Sequence, residues 1–270
     1  MTRQPAASLA VAAFMILSPE LSAQKTMTNA IGMEFVRIEP GSLRVGRFQP
    51  RCPQRNERWA PRDHTRCSEL VKHDAAAGFS ATISRPFYIG KYEVTQAEWK
   101  RVMGNNPSIF QRSTTGGAAD RHPVDNVTWD DAQAFVRKLN ALDTSARYRL
   151  PTEFEWEYAA RAGTPGEPSW DDIRERAWEQ DVDLGTTHPV GGKKPNAWGL
   201  YDMLGNVWEW VGDFYNEKVF ADPVPPKSGT THVLKGGSFL SDVKNATWST
   251  HAGGPGSGFD VGFRIVREIP

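Results

Sequence analysis

The chain has 270 residues, with 32 Lys and Arg against 32 Asp and Glu, giving a formal net charge of zero. That length buries a substantial core, and a balanced charge with no polybasic run excludes an electrostatic footprint for nucleic acid or an anionic membrane. Ten tryptophans beside 24 glycines and 19 prolines predict a loop-rich fold, in which irregular backbone is pinned by aromatic packing rather than by long helices.

Residues 1–23 read as an export signal. Arg3 supplies a short positive region, Ala6 to Leu17 form an apolar stretch too short to span a bilayer, and Leu21, Ser22 and Ala23 end in a small residue suited to cleavage. Residues 24–270 are then expected as one domain, periplasmic or secreted, with no membrane contact after signal cleavage. The only cysteines are Cys52 and Cys67. An oxidising compartment favours a disulfide between them, closing a short loop for about 3 kcal/mol. The alternative is a two-thiolate metal site completed by Asp63 or His64. Around the pair, residues 49–72 are charged and poor in apolar side chains, which reads as a stapled insertion.

Further along, Met33 to Val45 alternates apolar and polar residues about Pro40, Gly41 and Ser42, the pattern of a hairpin. Phe87 to Val94 reads as another strand. Thr95 and Glu98 stand at capping-box spacing and open a short helix carrying Trp99, Val102 and Met103, stopped by Gly104. Thr128 and Asp131 cap a second helix with Ala132, Phe135, Val136 and Leu139 on one face. Thr152 and Glu155 cap a third, which presents Trp156 and Ala159 inward and ends at Gly163. The signals from Gly163 to Pro195 are mixed. Strand-like pieces at Val233–Phe239 and Gly262–Val266 follow, separated by glycine-rich loops, so the expected fold class is α+β.

The run Gly199 to Trp210, GLYDMLGNVWEW, crowds large apolar side chains around Asp202, Gly205, Asn206 and Glu209. Two carboxylates, a glycine that permits a sharp turn and two tryptophans that exclude water make an oxygen-donor calcium loop. A capped or Asx-type turn packed on tryptophans accounts for the same residues.

Seven blocks in a fixed order give the chain a family resemblance: MEFVRIEPGSLRVG at 33–46, YIGKYEVTQAEW at 88–99, HPVDNVTWDDAQAF at 122–135, YRLPTEFEWEYAARAG at 148–163, NAWGLYDMLGNVWEW at 196–210, LKGGSF at 234–239 and GFDVGFR at 258–264. From about Met33 to Arg267 the sequence resembles the sulfatase-modifying-factor family, to which formylglycine-generating enzyme belongs. The resemblance implies a single irregular α+β domain of the formylglycine-generating-enzyme fold, related to the C-type lectin architecture. It also implies a calcium site at Asp202, Gly205, Val207 and Glu209, the first and last through side chains and the middle two through carbonyls. The family's first calcium site maps near Asp181, Asp183, Thr186 and His188, where the spacing departs from the pattern.

The activity does not follow from the fold. The family's known chemistry oxidises a substrate cysteine with O₂ at a copper(I) centre held by two cysteines shortly after GGS. Aligned on Gly236, Gly237 and Ser238, those positions are Ser241 and Ala246. A protonated hydroxyl and a methyl group cannot replace two thiolates for a soft monovalent ion, so no copper is expected. The stretch lining the family's substrate groove maps to Trp208, Ser238, Ser241, Trp248, His251 and Asp260, and the catalytic candidates are Ser241, His251, Ser238 and Trp208. No nucleophile elbow precedes the serines, which weighs against a Ser/His/Asp hydrolase. Glu153, Glu155 and Glu157 read as a cap and as partners of Arg149 or Arg161, or as solvent-facing. The six scattered histidines lack the spacing of the family's iron-binding relatives.

Two functional expectations stand ahead of a third, sulfatase cysteine-to-formylglycine oxidation, which Ser241 and Ala246 disfavour. One is an exported oxidoreductase-like maturation factor acting on a peptide-derived substrate, similar to periplasmic relatives that act on pyoverdine precursors. The other is a non-catalytic lectin-like module that binds a peptide, a glycan or a partner protein.

Overall fold

Strand pairing in this protein joins apolar segments far apart in the chain. The structure, a computed structural model, describes residues 26–47, 65, 68, 76–115, 117, 119–179, 185–221, 224–254 and 256–269. The signal segment, Cys52 and Cys67, nearly all of the 49–72 insertion, Asp181 and Asp183 lie outside the described residues.

The strands are β1 (Thr26–Thr28), β2 (Glu34–Ile38), β3 (Gly41–Arg47), β4 (Ala76–Ile83), β5 (Phe87–Gly90), β6 (Tyr148–Arg149), β7 (Trp208–Phe214), β8 (His232–Lys235), β9 (His251–Gly254), β10 (Val261–Phe263) and β11 (Val266–Glu268). One sheet has the order β1-β2-β5-β11-β6, a second β10-β7-β8-β9, and β3 pairs with β4 alone. All described pairs are antiparallel except β7 with β10.

The hairpin expected over Met33 to Val45 does not form. Its first arm, β2, pairs with β1 and β5, placing Val36 opposite Ile89, whereas its second arm, β3, pairs with β4, placing Leu43 opposite Ala81. Phe35, Val36 and Ile38 are fully buried, so β2 has both faces covered and takes neighbours on both edges. Leu43 and Val45 belong to a separate small cluster with Phe79, Phe154 and Phe220. Burial overrides the local turn signal at Pro40 and Gly41.

The helices follow their local signals. They are α1 (Gln96–Met103), α2 (Arg112–Thr115), α3 (Trp129–Leu142), α4 (Glu153–Arg161) and α5 (Trp170–Arg176). Capping boxes form at Thr95/Glu98, Thr128/Asp131 and Thr152/Glu155, and α1 ends on Gly104 in the left-handed region. Such an N-cap contributes about 1 kcal/mol from groups within one turn of chain, so the start of each helix is encoded locally while packing stabilises the helix itself. Helix α4 ends on Ala162, one residue before the expected Gly163. Helix α5 lies in the stretch whose signals are mixed, opened by a fourth capping box at Ser169 and Asp172.

Two apolar clusters fill the interior. One gathers Trp156, Trp170, Ile89 and Val233 under α4; the other packs Trp99 of α1 on Phe135 of α3, with Phe263 edge-on to both rings. Trp210 and Phe263 belong to the second cluster and Val211 and Val266 to the first. The segments β7 and β10–β11 therefore run between the two clusters. The buried polar residues Glu209 and Arg264 sit on those same segments.

Candidate functional site

The turn before β7 is built by backbone that few residues accept. Asp202, Gly205 and Asn206 all lie in the left-handed region, at φ of 54°, 75° and 60°. A Cβ on Gly205 would stand 1.8 Å from the Trp178 carbonyl oxygen, so only glycine fits. Asn206 ties the turn to two other segments: its Oδ1 accepts from the His188 amide at 2.9 Å, and its Nδ2 donates to Glu93 Oε2 at 2.7 Å.

Behind this turn lies a buried acid cluster around one guanidinium. Arg264 donates through Nε to Glu209 Oε2 and through Nη2 to Glu209 Oε1, both at 2.6 Å, and Trp156 Nε1 donates to Oε2 at 2.7 Å. Arg264 also donates to the carbonyls of Gly90, Tyr201 and Asp202. Burial opposes its charge, but Glu209, with Glu93 and Asp202, outweighs that cost and raises the guanidinium pKa. Glu93 accepts from the Val207 amide at 3.2 Å. Burial, then the neighbouring charges of Asp202 and Glu209, push its carboxyl well above the ordinary value. Asp202 is raised to about 6, chiefly by burial. Three carboxylates thus share one buried cation, and two of them are driven toward the neutral form.

The fit of calcium to this turn can be tested on its donors. Asp202 Oδ2 accepts from the Gly191 amide at 2.7 Å, whereas Oδ1 is buried without a partner. An orphaned carboxylate oxygen is what a hard cation satisfies. Glu209 has about four lone-pair directions, of which Arg264 and Trp156 take three, leaving one on Oε1. Among the described residues no group of three or more His, Cys, Asp or Glu is placed to hold a metal. The expected set, two carboxylates and two carbonyls, does not require one.

The glycine pair before Ser238 docks on this turn, since the Gly205 amide donates to the Gly236 carbonyl and the Phe239 amide to that of Asn206. The docking brings part of the expected groove together. Ser238 Oγ donates to Asp260 Oδ2 at 2.7 Å and accepts from the Leu240 amide. Ser241 Oγ accepts from the Ser238 amide at 2.8 Å. The Trp208 amide donates to the Asp260 carbonyl, which fixes the start of the parallel β7–β10 pair. Ser238, Ser241 and Ala246 are all buried.

A patch of apolar groups adjoins these serines, with Phe239 and Leu240 following Ser238 in the chain and Phe259 preceding Asp260. Phe110, Phe239 and Phe259 form a triangle of rings with centroids 5.3 to 6.4 Å apart. Ile109, Leu240 and Phe259 are 50%, 39% and 47% exposed, three of the five large apolar side chains exposed among the described residues. The loop carrying Ile109 and Phe110 is held by Asp125, whose carboxylate accepts from both amides at 2.7 and 3.4 Å. Burial raises that carboxyl to about 6. Exposed apolar groups gathered in one place mark a surface that contacts something else.

Trp248 and His251 have their described hydrogen bonds and packing elsewhere. The Trp248 amide donates to Glu167 Oε2, and its ring packs in the cluster under α4. His251 Nδ1 lies 2.9 Å from Glu153 Oε1, with the ring between Tyr215 and Phe220. Nearby, Lys235 Nζ is 3.2 Å from Glu157 and 3.8 Å from Glu153, and Glu157 also pairs with Arg161. Burial alone would raise the Glu153 carboxyl, but His251 and then Lys235 hold it below the ordinary range. Glu153 and Glu157 are accordingly buried partners and do not face solvent, while Glu155 is the cap and pairs with Arg149. With Ser238 bonded to Asp260 and His251 to Glu153, these residues form no Ser/His/Asp relay.

The geometry and motif order agree with what known proteins show. A family model described as sulfatase-modifying factor enzyme 1-like domain matches residues 20–269. This chain belongs to that family. A chaperone protein LppX from Paenibacillus barcinonensis is 32% identical over 67% of this chain and 80% of its own length. A formylglycine-generating enzyme from Streptomyces coelicolor is 34% identical over 65% of this chain and 60% of its own. Among solved structures, Treponema denticola variable protein 1 superposes with a TM-score of 0.69 at 27% identity, covering 90% of this chain and 98% of that one. PvdO from Pseudomonas aeruginosa gives a TM-score of 0.69 at 23% identity over 92% and 99%, and shares the fold. The sulfatase-modifying-factor fold is thus the irregular α+β architecture expected from the seven blocks. Among the described residues, no helix is long and apolar enough to cross a membrane.

Four residues of the site escaped the sequence reading. Glu93, Asp125, Lys235 and Arg264 all lie inside the quoted blocks, but nothing in their local spacing marks them as buried. A charged residue inside an apolar strand, as in GFR at 262–264 or VLK at 233–235, is the signal that was available.

Proposed function

We propose that this protein is an exported maturation factor of oxidoreductase-like type, acting without copper on a peptide-derived substrate held at the Ser238–Asp260 groove. The observation that carries this reading is the apolar patch of Ile109, Phe110, Phe239, Leu240 and Phe259 beside the buried Ser238 and Ser241 and the half-buried Asp260. The patch gives an extended substrate apolar contacts, and the half-buried Asp260, held by Ser238, is the polar group that orients it. Membership of a family that includes formylglycine-generating enzymes supports chemistry on another molecule, while Ser241 and Ala246 leave no thiolate pair for copper. Calcium fits as a structural ion, held by Asp202 and Glu209 with the carbonyls of Gly205 and Val207; it would neutralise part of the acid cluster and stiffen the turn on which the groove is docked.

A second reading, a non-catalytic module for a peptide, a glycan or a partner protein, is favoured by one observation. Both serine hydroxyls are engaged internally, and no imidazole contacts them among the described residues. The two readings separate in one experiment: O₂ consumption by the purified protein with periplasmic peptide or siderophore extracts, alongside retention of the same extracts on immobilised protein. Uptake lost on Asp260→Asn supports the maturation factor. Retention without uptake, lost on Phe259→Ser, leaves only the binding module.

A further inference from the structure

A second pocket, of about 210 Å³, opens where the first turn of α3 meets the ends of β8 and β9. Its walls include Asp130, Thr230, His232, Trp210 and Gly256. The His232 ring is clamped between Trp129, at 3.7 Å and 4° between planes, and Phe214, at 4.4 Å and 27°. Its Nδ1 lies 3.3 Å from the Asp213 carbonyl oxygen. A carbonyl only accepts, so Nδ1 carries the proton in this contact and Nε2 presents its lone pair. Burial lowers the His232 pKa from 6.5, which keeps the ring neutral at neutral pH. Among the described residues, the Nδ1 contact is the one hydrogen bond of the His232 ring, and the Asp130 charge, which favours the protonated ring, does not offset burial.

The pocket therefore presents acceptors held ready: a fixed imidazole lone pair and a carboxylate, with the Thr230 hydroxyl able to serve either way. A ligand must bring donors. Ammonium groups are donors too, but a cation site of this size is built from several carboxylates or from aromatic faces turned to the ligand. Here the single carboxylate is exposed, and Trp129 and Phe214 turn their faces to His232. Neutral hydroxyls fit better. We propose that this pocket binds a small polyhydroxylated ligand, one sugar ring in size, through hydroxyl donors to His232 Nε2 and Asp130.

The site is independent of the Ser238 groove, so its failure leaves the proposed function standing. Gly256 supplies the control: a Cβ there meets nothing within 4 Å and its φ is not left-handed, so Gly256→Leu narrows the mouth without disturbing the fold. Ligand-observed NMR and calorimetric titration of the full chain with a panel of neutral monosaccharides, and separately with methylammonium and lysine methyl ester, test the assignment. The expected result is saturable binding of at least one sugar, weakened tenfold or more by Asp130→Ala and by Gly256→Leu, with the Gly256→Leu midpoint unchanged and that of Asp130→Ala lower by no more than about 4 °C, since Asp130 also lies in the first turn of α3. Saturable binding of the amines alone, sugar binding that survives both variants, or no saturable binding of any sugar would each overturn it.

Discussion

Replacing Arg264 with methionine tests whether the buried ion pair holds the two clusters and the groove together. The substitution keeps most of the side-chain volume and removes the guanidinium that makes two 2.6 Å contacts to Glu209 and reaches the carbonyls of Gly90, Tyr201 and Asp202. Breaking a buried pair by removing one partner costs about 3–5 kcal/mol, because the remaining charge is left without compensation. In a domain of this size each kcal/mol shifts the midpoint by about 2–4 °C, so the expected fall is about 6–20 °C. Adding Glu209→Gln removes the stranded charge and keeps an acceptor for Trp156 Nε1. The double variant should recover about half of the loss, and not all of it, since the three carbonyls still lack their donor. Thermal and urea unfolding of the wild type, Arg264→Met and the double variant measure this directly. A single variant within about 1 kcal/mol of wild type, or a double variant no better than the single, would refute the ion-pair reasoning.

Three further outcomes follow from the same structure. Calcium should raise the thermal midpoint and chelation lower it, with Asp202→Ala abolishing the shift; Asp202 is the cleaner position because changes at Glu209 also disturb Arg264. A wild-type midpoint indifferent to calcium rejects that ion. Asp125 has its carboxyl raised from 3.8 to about 6, so its native state holds the proton more tightly than the unfolded chain. The stability it contributes is complete below pH 3.8 and is lost as pH rises to about 6. The stability difference between wild type and Asp125→Asn should therefore fall across that window and stay level above it, as read from urea midpoints at several pH values; a level difference throughout contradicts the burial of this carboxyl. Finally, Gly205→Ala places a methyl group against the Trp178 carbonyl in a left-handed backbone. It should cost about 3 kcal/mol or more, checked by urea unfolding followed through tryptophan fluorescence; a loss under about 1 kcal/mol would show that the turn relaxes.

The sequence by itself determined whatever depends on neighbours three or four residues apart. The boxes at Thr95, Thr128 and Thr152 and the stop at Gly104 came out as read, because a cap is closed by a side chain and an amide on the same turn of chain. Ser169 and Asp172 carry that same signal, so α5 too is encoded within its own turn of chain. The block order likewise fixed the family and the α+β fold. Tertiary structure alone decided which strand pairs with which, since Val36 faces Ile89 and not the other arm of its own turn. It also decided which polar groups meet: Ser238 with Asp260, His251 with Glu153, Arg264 with Glu209 across 55 positions. Burial sets those partners, and burial belongs to the packed molecule: a carboxylate enclosed by two apolar clusters takes the one guanidinium enclosed with it, wherever in the chain that residue lies.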